Sequence, residues 1–289
     1  MLDRELYEDI AARTGGNIYI GVVGPVRTGK STFIRRFAET MILPAMQDGA
    51  ARMELTDELP QAGEGRAVMT TEPKFVPANA ARVSIAENAA VNIRLIDCVG
   101  FPAEGVVTGE DGKPRMVTTP WSDAPMPFEE AAALGTRKVI HDHATIAVLI
   151  TTDGSVAGIP RENYIAAEER TAKELNAGGR PYVILVNSRS PRGAECEQVR
   201  ANLEQKYGVP ALAFDCERAQ EEDFADVLER VLFEFPVAEL DFDLPDWLRT
   251  LPEDCAIVAE ALDKIRETSA KISRMRDCRI AESMFDGSE

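Results

Sequence analysis

Two glycines, a lysine and a serine stand together at a spacing that suits the binding of a phosphate chain. The stretch consists of Gly24, Pro25, Val26, Arg27, Thr28, Gly29, Lys30 and Ser31, followed by Thr32. Glycines let the backbone curl so that its N–H groups point inward at an anion, and a helix that starts here adds partial positive charge. Lys30 can then reach the β- and γ-phosphates of a nucleotide, and the Ser31 hydroxyl can bind Mg²⁺. The stretch predicts a phosphate-binding loop in which Lys30 is catalytic and residues 24–32 contact the nucleotide.

A second group of candidate residues lies further along the chain. Asp97 ends an apolar strand, and Gly100 follows it at the third position. Downstream of a phosphate-binding loop, this pattern predicts that Asp97 binds Mg²⁺ through water and that the Gly100 N–H approaches the γ-phosphate. Between the two motifs, Thr70 and Thr71 suit a catalytic sensor that contacts the γ-phosphate and the metal. We expect only one of these hydroxyls to reach the metal, and the alternative for the pair is an ordinary loop.

Arg27 is the fourth residue of the predicted phosphate-binding loop. Some proteins with related loops carry an asparagine there that holds a potassium ion beside the phosphates. A guanidinium at this position can supply the positive charge itself, as an arginine finger within the same chain. The alternative is that Arg27 pairs with a surface carboxylate. Both interpretations stay open at the level of the sequence.

The elements that must position these side chains alternate between strands and helices. An apolar strand (18–23) precedes the loop, and a helical run (32–37) follows it. Later strands are predicted at 145–150, 182–186 and 211–214, with helices at 128–142, 162–177, 195–207 and 220–234. This alternation indicates a mainly parallel sheet covered by helices on both faces. A hairpin around 83–85 and 91–95 adds one antiparallel strand, so the expected fold is a P-loop three-layer α/β/α sandwich.

Two stretches between these elements carry weaker patterns. Residues 44–75 lack clear periodicity, and residues 101–127 contain five prolines, too many for a helix or a central strand. We expect a long loop at 101–127, and loops of such length are usually functional or mobile.

The alternation of strands and helices stops near Pro236. From about 253 to 284, apolar residues recur at spacings of three, four or seven, which predicts one long amphipathic helix. We therefore expect a P-loop domain at 1–236 and the start of a middle domain at 237–289, inside which the chain stops.

The composition narrows the classes of partner and compartment. The formal net charge is −17, which argues against nucleic acid as the main partner because phosphate backbones select faces rich in lysine and arginine. Five cysteines without a Cys-x-x-Cys pair favour reduced thiols and a cytosolic, soluble protein, and no run approaches 18 apolar residues. His141 and His143 lack clustered ligands and are expected at the surface. Trp121 and Trp247 are expected to pack.

The arrangement of motifs resembles the translation-factor-related class of P-loop GTPases, with two departures. That class reads guanine with Asn-Lys-x-Asp after a later strand, and the matching place here holds Asn187, Ser188, Arg189 and Ser190. The carboxylate that accepts hydrogen bonds from guanine is missing, so we expect ATP, with Asn187 among the nucleotide-binding residues. Many members also carry a water-positioning glutamine where this chain has Phe101, whose apolar side chain cannot orient water.

Short sequence motifs dispersed over nearly the whole chain resemble those of the stage IV sporulation protein A family. These motifs are Arg13–Tyr19, Met69–Pro77, Asn92–Gly100, Pro114–Met116, Thr119–Trp121, Gly135–Ile140, Thr151–Gly154, Ala167–Arg170, Phe235–Val237 and Leu244–Trp247. The resemblance implies an ATPase that assembles with itself on the surface of the developing spore, in the mother-cell cytoplasm, as the basement layer of the spore coat. It also implies contacts with other coat proteins, and with a small membrane-bound amphipathic peptide through a C-terminal region without a counterpart here.

The expected reaction is in-line attack of water on the γ-phosphate of ATP. Lys30, the loop amides and Mg²⁺ bound by Ser31 and Asp97 stabilise the charge that develops. Two other functions stay open, a regulatory P-loop GTPase switch and a scaffold that holds nucleotide without hydrolysing it. Residues 187–190 argue against the GTPase.

Overall fold

Eight β-strands form within the part of the chain that the structure describes. A computed structural model describes residues 16–46, 48–60, 73–86, 89–104, 115–252 and 255–278. The strands are β1 (Asn17–Val23), β2 (Lys74–Ala86), β3 (Ala89–Asp97), β4 (Met116–Thr119), β5 (Ser122–Pro127), β6 (Ile146–Thr152), β7 (Tyr182–Asn187) and β8 (Ala211–Phe214). Six of them form one sheet in the order β2-β3-β1-β6-β7-β8, and β4 pairs with β5.

The six-stranded sheet is parallel except at one edge. β1 pairs in parallel with β3 and β6, and the parallel pairing continues to β7 and β8. β2 runs antiparallel to β3. All residues of β6 and β7 are buried, as expected for strands covered on both faces. The predicted fold class, a mainly parallel sheet with one antiparallel strand between helical layers, is confirmed.

Helices follow most of the parallel strands. They are α1 (Lys30–Phe37), α2 (Gly49–Glu58), α3 (Phe128–Lys138), α4 (Ile165–Gly178), α5 (Ala194–Tyr207), α6 (Glu221–Phe233), α7 (Asp246–Arg249) and α8 (Ala256–Ser269). π-helical turns extend α1 over Ala38–Ile42 and α3 over Val139–His143, and a 3-10 turn, Arg161–Tyr164, precedes α4.

Four phenylalanines pack α1 onto the edge of the sheet. Phe33 and Phe37 of α1 lie with their ring centroids 5.4 and 5.2 Å from that of Phe224 in α6. Phe214 of β8 lies 5.9 Å from Phe33, and all four side chains are buried. Because burial of one such side chain stabilises a fold by about 1.5–3 kcal/mol, this cluster fixes the orientation of α1 and of the residues at its start.

Helix α2 lies within residues 44–75, where the sequence shows no clear periodicity. Asp48 caps the helix by accepting a hydrogen bond from the Ala50 N–H at 2.9 Å. Leu55 is the single buried residue of α2. Apolar residues therefore do not recur at helical spacing, and the sequence pattern misses this helix.

The prediction of one long loop at 101–127 is wrong in its second half. β4 and β5 form a hairpin there, with Pro120 at the turn and with Pro125 and Pro127 inside β5. Among the described strands, this hairpin pairs with no strand of the main sheet. The prolines therefore interrupt no central hydrogen-bond ladder.

The described residues divide into two compact units, one up to Val231 and one from Leu232 onward. In the second unit the prediction of a single long helix over 253–284 is wrong, because α8 ends at Ser269. No helix in the described ranges combines the length and the apolar character needed to cross a membrane. The division into a P-loop domain and a middle domain stays a prediction.

A buried carboxylate explains why the second unit does not continue as one long helix. After α8 the chain turns back, and Arg274 forms a β-bridge with Pro236. Glu234 is buried and pairs with Arg274 and with Arg276, whose Nη1 lies 2.8 Å from Glu234 Oε1. A continuous helix would carry both arginines away from this carboxylate and leave its charge unpaired.

Candidate functional site

The loop 24–29 lies at the carboxyl end of β1, in the middle of the sheet. β1 is flanked by β3 on one side and β6 on the other. Connections leave the sheet in opposite directions at this point, which is the usual ligand position in open α/β sheets. α1 begins directly after the loop, and the Gly29 carbonyl accepts the Phe33 N–H at 2.9 Å. The partial positive charge of the α1 N-terminus therefore lies against the loop.

Lys30 is the first residue of α1, and the loop surrounds its ammonium group. Nζ donates hydrogen bonds to the carbonyl oxygens of Gly24 at 3.1 Å and Pro25 at 2.6 Å. Thr28 Oγ1 donates to the same Pro25 oxygen at 2.9 Å. Burial lowers the pKa of Lys30, although neighbouring acidic groups act against this shift. A desolvated ammonium group gains more from a nearby anion than an exposed one does.

Ser31 and Asp97 come together although 66 positions separate them in the chain. Ser31 Oγ donates a hydrogen bond to Asp97 Oδ2 at 3.1 Å. Asp97 is the last residue of β3 and stands opposite Val22 of β1, so the parallel pairing brings its carboxylate beside the first turn of α1. Burial raises the pKa of the Asp97 carboxyl, and Lys30 and the hydrogen bond from Ser31 oppose this shift.

The donor set at this point fits Mg²⁺, the metal that the sequence predicts. Mg²⁺ prefers oxygen ligands, keeps several waters and is usually held by one or two carboxylates together with phosphate oxygens. Ser31 and Asp97 offer a hydroxyl and a carboxylate side by side. Within the described ranges, no group of three or more His, Cys, Asp and Glu side chains could hold a metal. An ion bound by Ser31 and Asp97 therefore needs phosphate oxygens and waters to complete its coordination.

Gly100 approaches the loop so closely that no side chain fits between them. Its φ is 80°, and a Cβ atom on Gly100 would lie 1.9 Å from the Gly24 carbonyl oxygen and 2.9 Å from Lys30 Nζ. The neighbouring residue fixes the contact, because the Val26 N–H donates to the Phe101 carbonyl oxygen at 2.9 Å. The segment after Asp97 is thus docked directly on the loop 24–29.

Residues 161–170 hold the same segment from its other side, a contact that the sequence analysis missed. Phe101 is 2% exposed, and the Arg170 guanidinium carbon lies 4.4 Å from its ring centroid. The Glu104 N–H donates to the Asn163 carbonyl at 2.9 Å, and Asn163 Nδ2 donates to the Glu104 carbonyl at 3.0 Å. Phe101 therefore anchors the segment in the core. No motif connects these positions in the sequence, so no signal was available to find them.

Arg27 is exposed and has a φ of 65°, a rare conformation for a residue with a side chain. It forms no ion pair with the part of the chain that the structure describes, so the alternative of a surface salt bridge gains no support there. Tyr164 is fully buried, and its hydroxyl has no hydrogen-bond partner among the described residues. Burial raises the pKa of Tyr164 while the charge of Arg27 lowers it, so the guanidinium and the phenol are near enough to interact.

Asn187 is the last residue of β7, and both polar groups of its side chain are used inside the protein. Nδ2 donates to the Thr28 carbonyl at 2.9 Å, and Oδ1 accepts the Cys216 N–H at 3.1 Å. Asn187 is 6% exposed. It therefore ties together the loops that follow β1, β7 and β8, and a direct contact with a nucleotide stays a prediction.

The loop after β8 (215–219) forms a tight turn that the sequence analysis did not single out. Asp215 Oδ1 accepts the N–H groups of Glu217 at 3.0 Å and Arg218 at 3.1 Å. The Asp215 carbonyl accepts the Ala219 N–H at 3.0 Å, and Arg36 of α1 donates Nε to the Ala219 carbonyl at 2.9 Å. An aspartate that begins a turn is so common that the sequence alone gives it no weight.

Four of the predicted site residues are threonines, and one of them, Thr28, donates a hydrogen bond to the Pro25 carbonyl within the loop. Thr32 lies in the first turn of α1, half-buried. Thr70 and Thr71 lie outside the described residues, so their roles as sensors stay a prediction.

Two histidines and two tryptophans were singled out in the sequence, and the structure shows how far each of them is exposed. His141 is half-exposed and His143 exposed, and the ring of His143 stacks edge-on against Phe75. Trp121 is half-buried, whereas Trp247 is 59% exposed, so the prediction that Trp247 packs is wrong.

Known proteins resemble this chain over most of its length. A family model described as "Stage IV sporulation protein A, ATPase domain" matches residues 1–236. Curated relatives named stage IV sporulation protein A, from Bacillus anthracis and Bacillus subtilis (strain 168), are each 47% identical over 274 residues, 94% of this chain and 56% of the relative. The relative of that name from Clostridioides difficile (strain 630) is 43% identical over 277 residues, 96% of this chain and 56% of the relative. The chain thus spans about half the length of these relatives.

Among solved structures, the crystal structure of an SsGBP and GDP complex is 13% identical, with a TM-score of 0.43, and covers 74% of this chain and 49% of that one. A mutation variant of SsGBP is 12% identical, with a TM-score of 0.42 over 80% of this chain and 60% of the other. At such TM-scores the likeness adds nothing to the fold that the strand order itself shows. The family match, by contrast, contains the loop 24–31, Asp97, Gly100 and Asn187. The chain belongs to the stage IV sporulation protein A family and carries its ATPase domain.

Proposed function

We propose that this chain binds ATP with Mg²⁺ at the loop 24–31 and hydrolyses it to ADP and phosphate. The observation that carries the proposal is the geometry around Lys30. Its buried ammonium group lies inside a loop at the N-terminus of α1, beside a serine and an aspartate 3.1 Å apart. Buried cationic groups with a helix N-terminus and an oxygen donor pair suit a Mg²⁺-bound triphosphate.

The chain's own groups stabilise the reaction mainly by position and charge. The backbone N–H groups of the loop and the α1 N-terminus hold the β- and γ-phosphates, and Lys30 donates to the oxygens between them. Ser31 and Asp97 would hold the metal through their oxygen atoms. Bound Mg²⁺ supplies charge neutralisation on the phosphate oxygens. The Gly100 N–H donates to the γ-phosphate, and its docking on Gly24 keeps that donor in place.

Arg27 is proposed to act as an arginine finger within the same chain. Its exposed guanidinium, its left-handed backbone and its lack of an ion pair within the described ranges all support this role. An arginine held over the phosphates stabilises charge that develops only in the transition state. Phe101 is buried, and its apolar side chain is proposed to take no part in orienting water. Thr70 or Thr71 is proposed to sense the γ-phosphate and the metal.

ATP is proposed as the substrate in preference to GTP. Residues 187–190 lack the carboxylate that pairs with guanine in related GTPases, and the polar groups of Asn187 are engaged with Thr28 and Cys216. A buried hydrogen-bonding site discriminates by roughly 10⁴-fold, so its absence has a measurable consequence. The name of the matching family model, which refers to an ATPase domain, supports the same choice.

The biological role is proposed from the family to which the chain belongs. We propose a protein of the spore coat that assembles with itself and with other coat proteins at the outer surface of the forespore, in the mother-cell cytoplasm. Recruitment through a membrane-bound amphipathic peptide is assigned to a C-terminal region, and residues 237–289 to the beginning of a middle domain. The names of the curated relatives support a function in sporulation.

Equilibrium binding and phosphate release test the proposed activity. With Mg²⁺ present, the chain should bind ATP at least as tightly as GTP and release phosphate in single-turnover experiments. Lys30→Ala should lower the turnover rate by at least about 10²-fold while the circular dichroism spectrum is unchanged. Lys173→Ala is the matched control, because Lys173 is an exposed lysine on α4.

Three results would contradict the proposal. A tenfold preference for GTP favours the regulatory GTPase, and binding without phosphate release favours a nucleotide-holding scaffold. Equal turnover by the Lys30→Ala and Lys173→Ala variants removes Lys30 from the reaction.

A further inference from the structure

The turn after β8 is attached to the same helix that begins at the phosphate-binding loop. Ala219 ends this turn, and its carbonyl accepts a hydrogen bond from Arg36 of α1 at 2.9 Å. Asp215 begins it, and its Oδ1 accepts the N–H groups of Glu217 and Arg218. With both ends fixed, the Asp215 carboxylate has a defined position relative to α1.

Asn187 joins this turn to the loop that binds the phosphates. Its side chain bridges the Thr28 carbonyl and the Cys216 N–H, the residue next to Asp215. A Cβ atom on Gly29 would lie 2.3 Å from Asn187 Nδ2 and 3.7 Å from Cys216 Sγ, so the three residues are in close contact. A nucleotide whose phosphates lie in the loop 24–31 must place its base beyond the ribose. The loops after β7 and β8 form that edge of the site.

Several backbone N–H groups at this edge are used within the protein, whereas the side chains of Arg189, Glu217 and Arg218 are exposed. Ser188 is fully buried, and its Oγ accepts the Ser190 N–H at 3.0 Å. The Glu217 and Arg218 N–H groups both donate to Asp215 Oδ1, so neither is available to a carbonyl group on the base. Asp215 Oδ2, by contrast, has no hydrogen-bond partner among the described residues, and Asp215 is partly exposed. The edge therefore presents a charged acceptor, Asp215 Oδ2, next to the N–H groups of Glu217 and Arg218, which are already paired.

We propose that Asp215 determines the choice of base, with Oδ2 accepting a hydrogen bond from the 6-amino group of adenine. Guanine carries an oxygen at the same position, which the carboxylate repels. The inference deepens the proposed function and rests on it, because it assumes that a nucleotide binds at the loop 24–31. It assigns base recognition to a residue 28 positions after Asn187, outside residues 187–190.

Asp215→Asn separates base recognition from the structure of the turn. An asparagine keeps Oδ1 for the two amides and replaces the Oδ2 acceptor with an NH₂ donor. Competition binding should show ATP bound about tenfold more weakly and GTP more tightly than in the wild type, so that the preference is reversed. Inosine triphosphate should follow GTP, because it carries the 6-oxo group without the 2-amino group. Asp215→Ser, with neither group, should bind ATP and GTP alike.

Asp48→Asn is the matched control, because Asp48 also accepts a backbone N–H through Oδ1 but caps α2. This variant should keep the wild-type ratio of ATP to GTP affinity. An unchanged ratio in Asp215→Asn, with unfolding temperatures equal to those of the wild type, would overturn the inference and leave Asp215 as a turn residue. Equal affinities of the wild type for ATP and GTP would overturn it too. Failure of nucleotide binding at the loop 24–31, on which the inference rests, is distinct, because the wild type would then bind neither nucleotide.

Discussion

The two ends of the candidate nucleotide site are built differently. The phosphate side (residues 24–31 and 97–101) uses backbone groups, a buried ammonium and a donor pair, with Lys30 at its centre. The base side (residues 187–190 and 215–219) uses side chains from two loops, and several of its residues are exposed. The phosphate side thus places a desolvated cation where we propose that the phosphates bind. On the base side, we propose that discrimination depends on side-chain atoms that the turns leave unpaired.

The two sides also differ in what burial does to their ionisable groups. On the phosphate side burial lowers the pKa of Lys30 and raises that of Asp97, although the two groups partly offset this by attracting each other. On the base side burial raises the pKa of the Cys216 thiol, which therefore stays neutral at physiological pH. Burial therefore works against charge on the phosphate side, and on the base side it keeps the thiol neutral.

The largest expected effect is the loss of ATP turnover when Arg27 of the phosphate side is replaced, with Arg189 of the base side as the control. Arg27→Ala should slow ATP turnover by about 10²–10³-fold with little change in ATP affinity, because the guanidinium stabilises the transition state. Added potassium should restore part of the rate. Arg189→Ala, an exposed arginine on the base side, should leave the turnover rate within about twofold. Equal losses of affinity and rate in Arg27→Ala would indicate a ground-state contact instead.

The close contact of Gly100 with the loop should make the phosphate side intolerant of one methyl group. Gly100→Ala should destabilise the fold by about 3 kcal/mol, because Cβ meets the Gly24 oxygen in a strained conformation. Gly208→Ala has a similar positive φ of 66° with nothing within 4 Å of the added Cβ, and should cost about 1 kcal/mol. Urea unfolding measures both. Equal costs would mean that the segment after Asp97 is not docked on the loop.

Asn187 joins the two sides, and its removal should weaken both. Asn187→Ala leaves the Thr28 carbonyl and the Cys216 N–H without their partner, which should cost about 2 kcal/mol of stability. ATP affinity should fall as well, because the two loops lose their common anchor. Asn202→Ala, at an exposed position of α5, is the control for thermal unfolding and ATP binding. A stable Asn187→Ala variant with normal ATP affinity would show that the two sides are independent.

The smallest expected effect is a pH dependence next to the base side. Asp153 Oδ1 accepts hydrogen bonds from the Ser155 hydroxyl at 2.6 Å and N–H at 2.9 Å, and the Arg189 N–H donates to the Ser155 hydroxyl at 3.1 Å. Burial acts to raise the pKa of Asp153, but hydrogen bonds from Ser155 and Ser188 outweigh it and lower the pKa below the ordinary value. The folded state therefore favours the carboxylate. The contribution of Asp153 to the free energy of unfolding is present above the pKa that Asp153 has in the unfolded chain. It is lost as the pH falls through the pKa that Asp153 has in the folded protein.

Asp153→Asn should accordingly lower the unfolding temperature by about 1–3 °C at pH 7, and the difference should vanish at an acidic pH below the folded-state pKa of Asp153. Asp57→Asn, at an exposed position of α2, should show no difference at either pH. A constant deficit of Asp153→Asn at all pH values would assign the effect to packing.

The phosphate side was largely predictable, and the base side was not. Glycine spacing, Lys30 and Ser31 identify the loop because a contiguous backbone motif encodes its own geometry. Asp97 was predicted from its place at the end of an apolar strand downstream of the loop, with Gly100 three positions later. The docking of Phe101 under Arg170, the orphan hydroxyl of Tyr164 and the turn at Asp215 have no comparable signature. They depend on which separate elements happen to be neighbours.

The sequence by itself determined the elements with strong periodicity, the alternation that builds a parallel sheet, and the loop that follows β1. These features arise from local backbone preferences and from the burial of apolar residues at regular spacing. Only the tertiary structure decided that α2 exists, that α8 ends at Ser269 to let two arginines reach Glu234, and that Asn187 and Asp215 share one edge. Those outcomes depend on single contacts between residues far apart in the sequence. The free energy of such contacts cannot be inferred from a local sequence pattern.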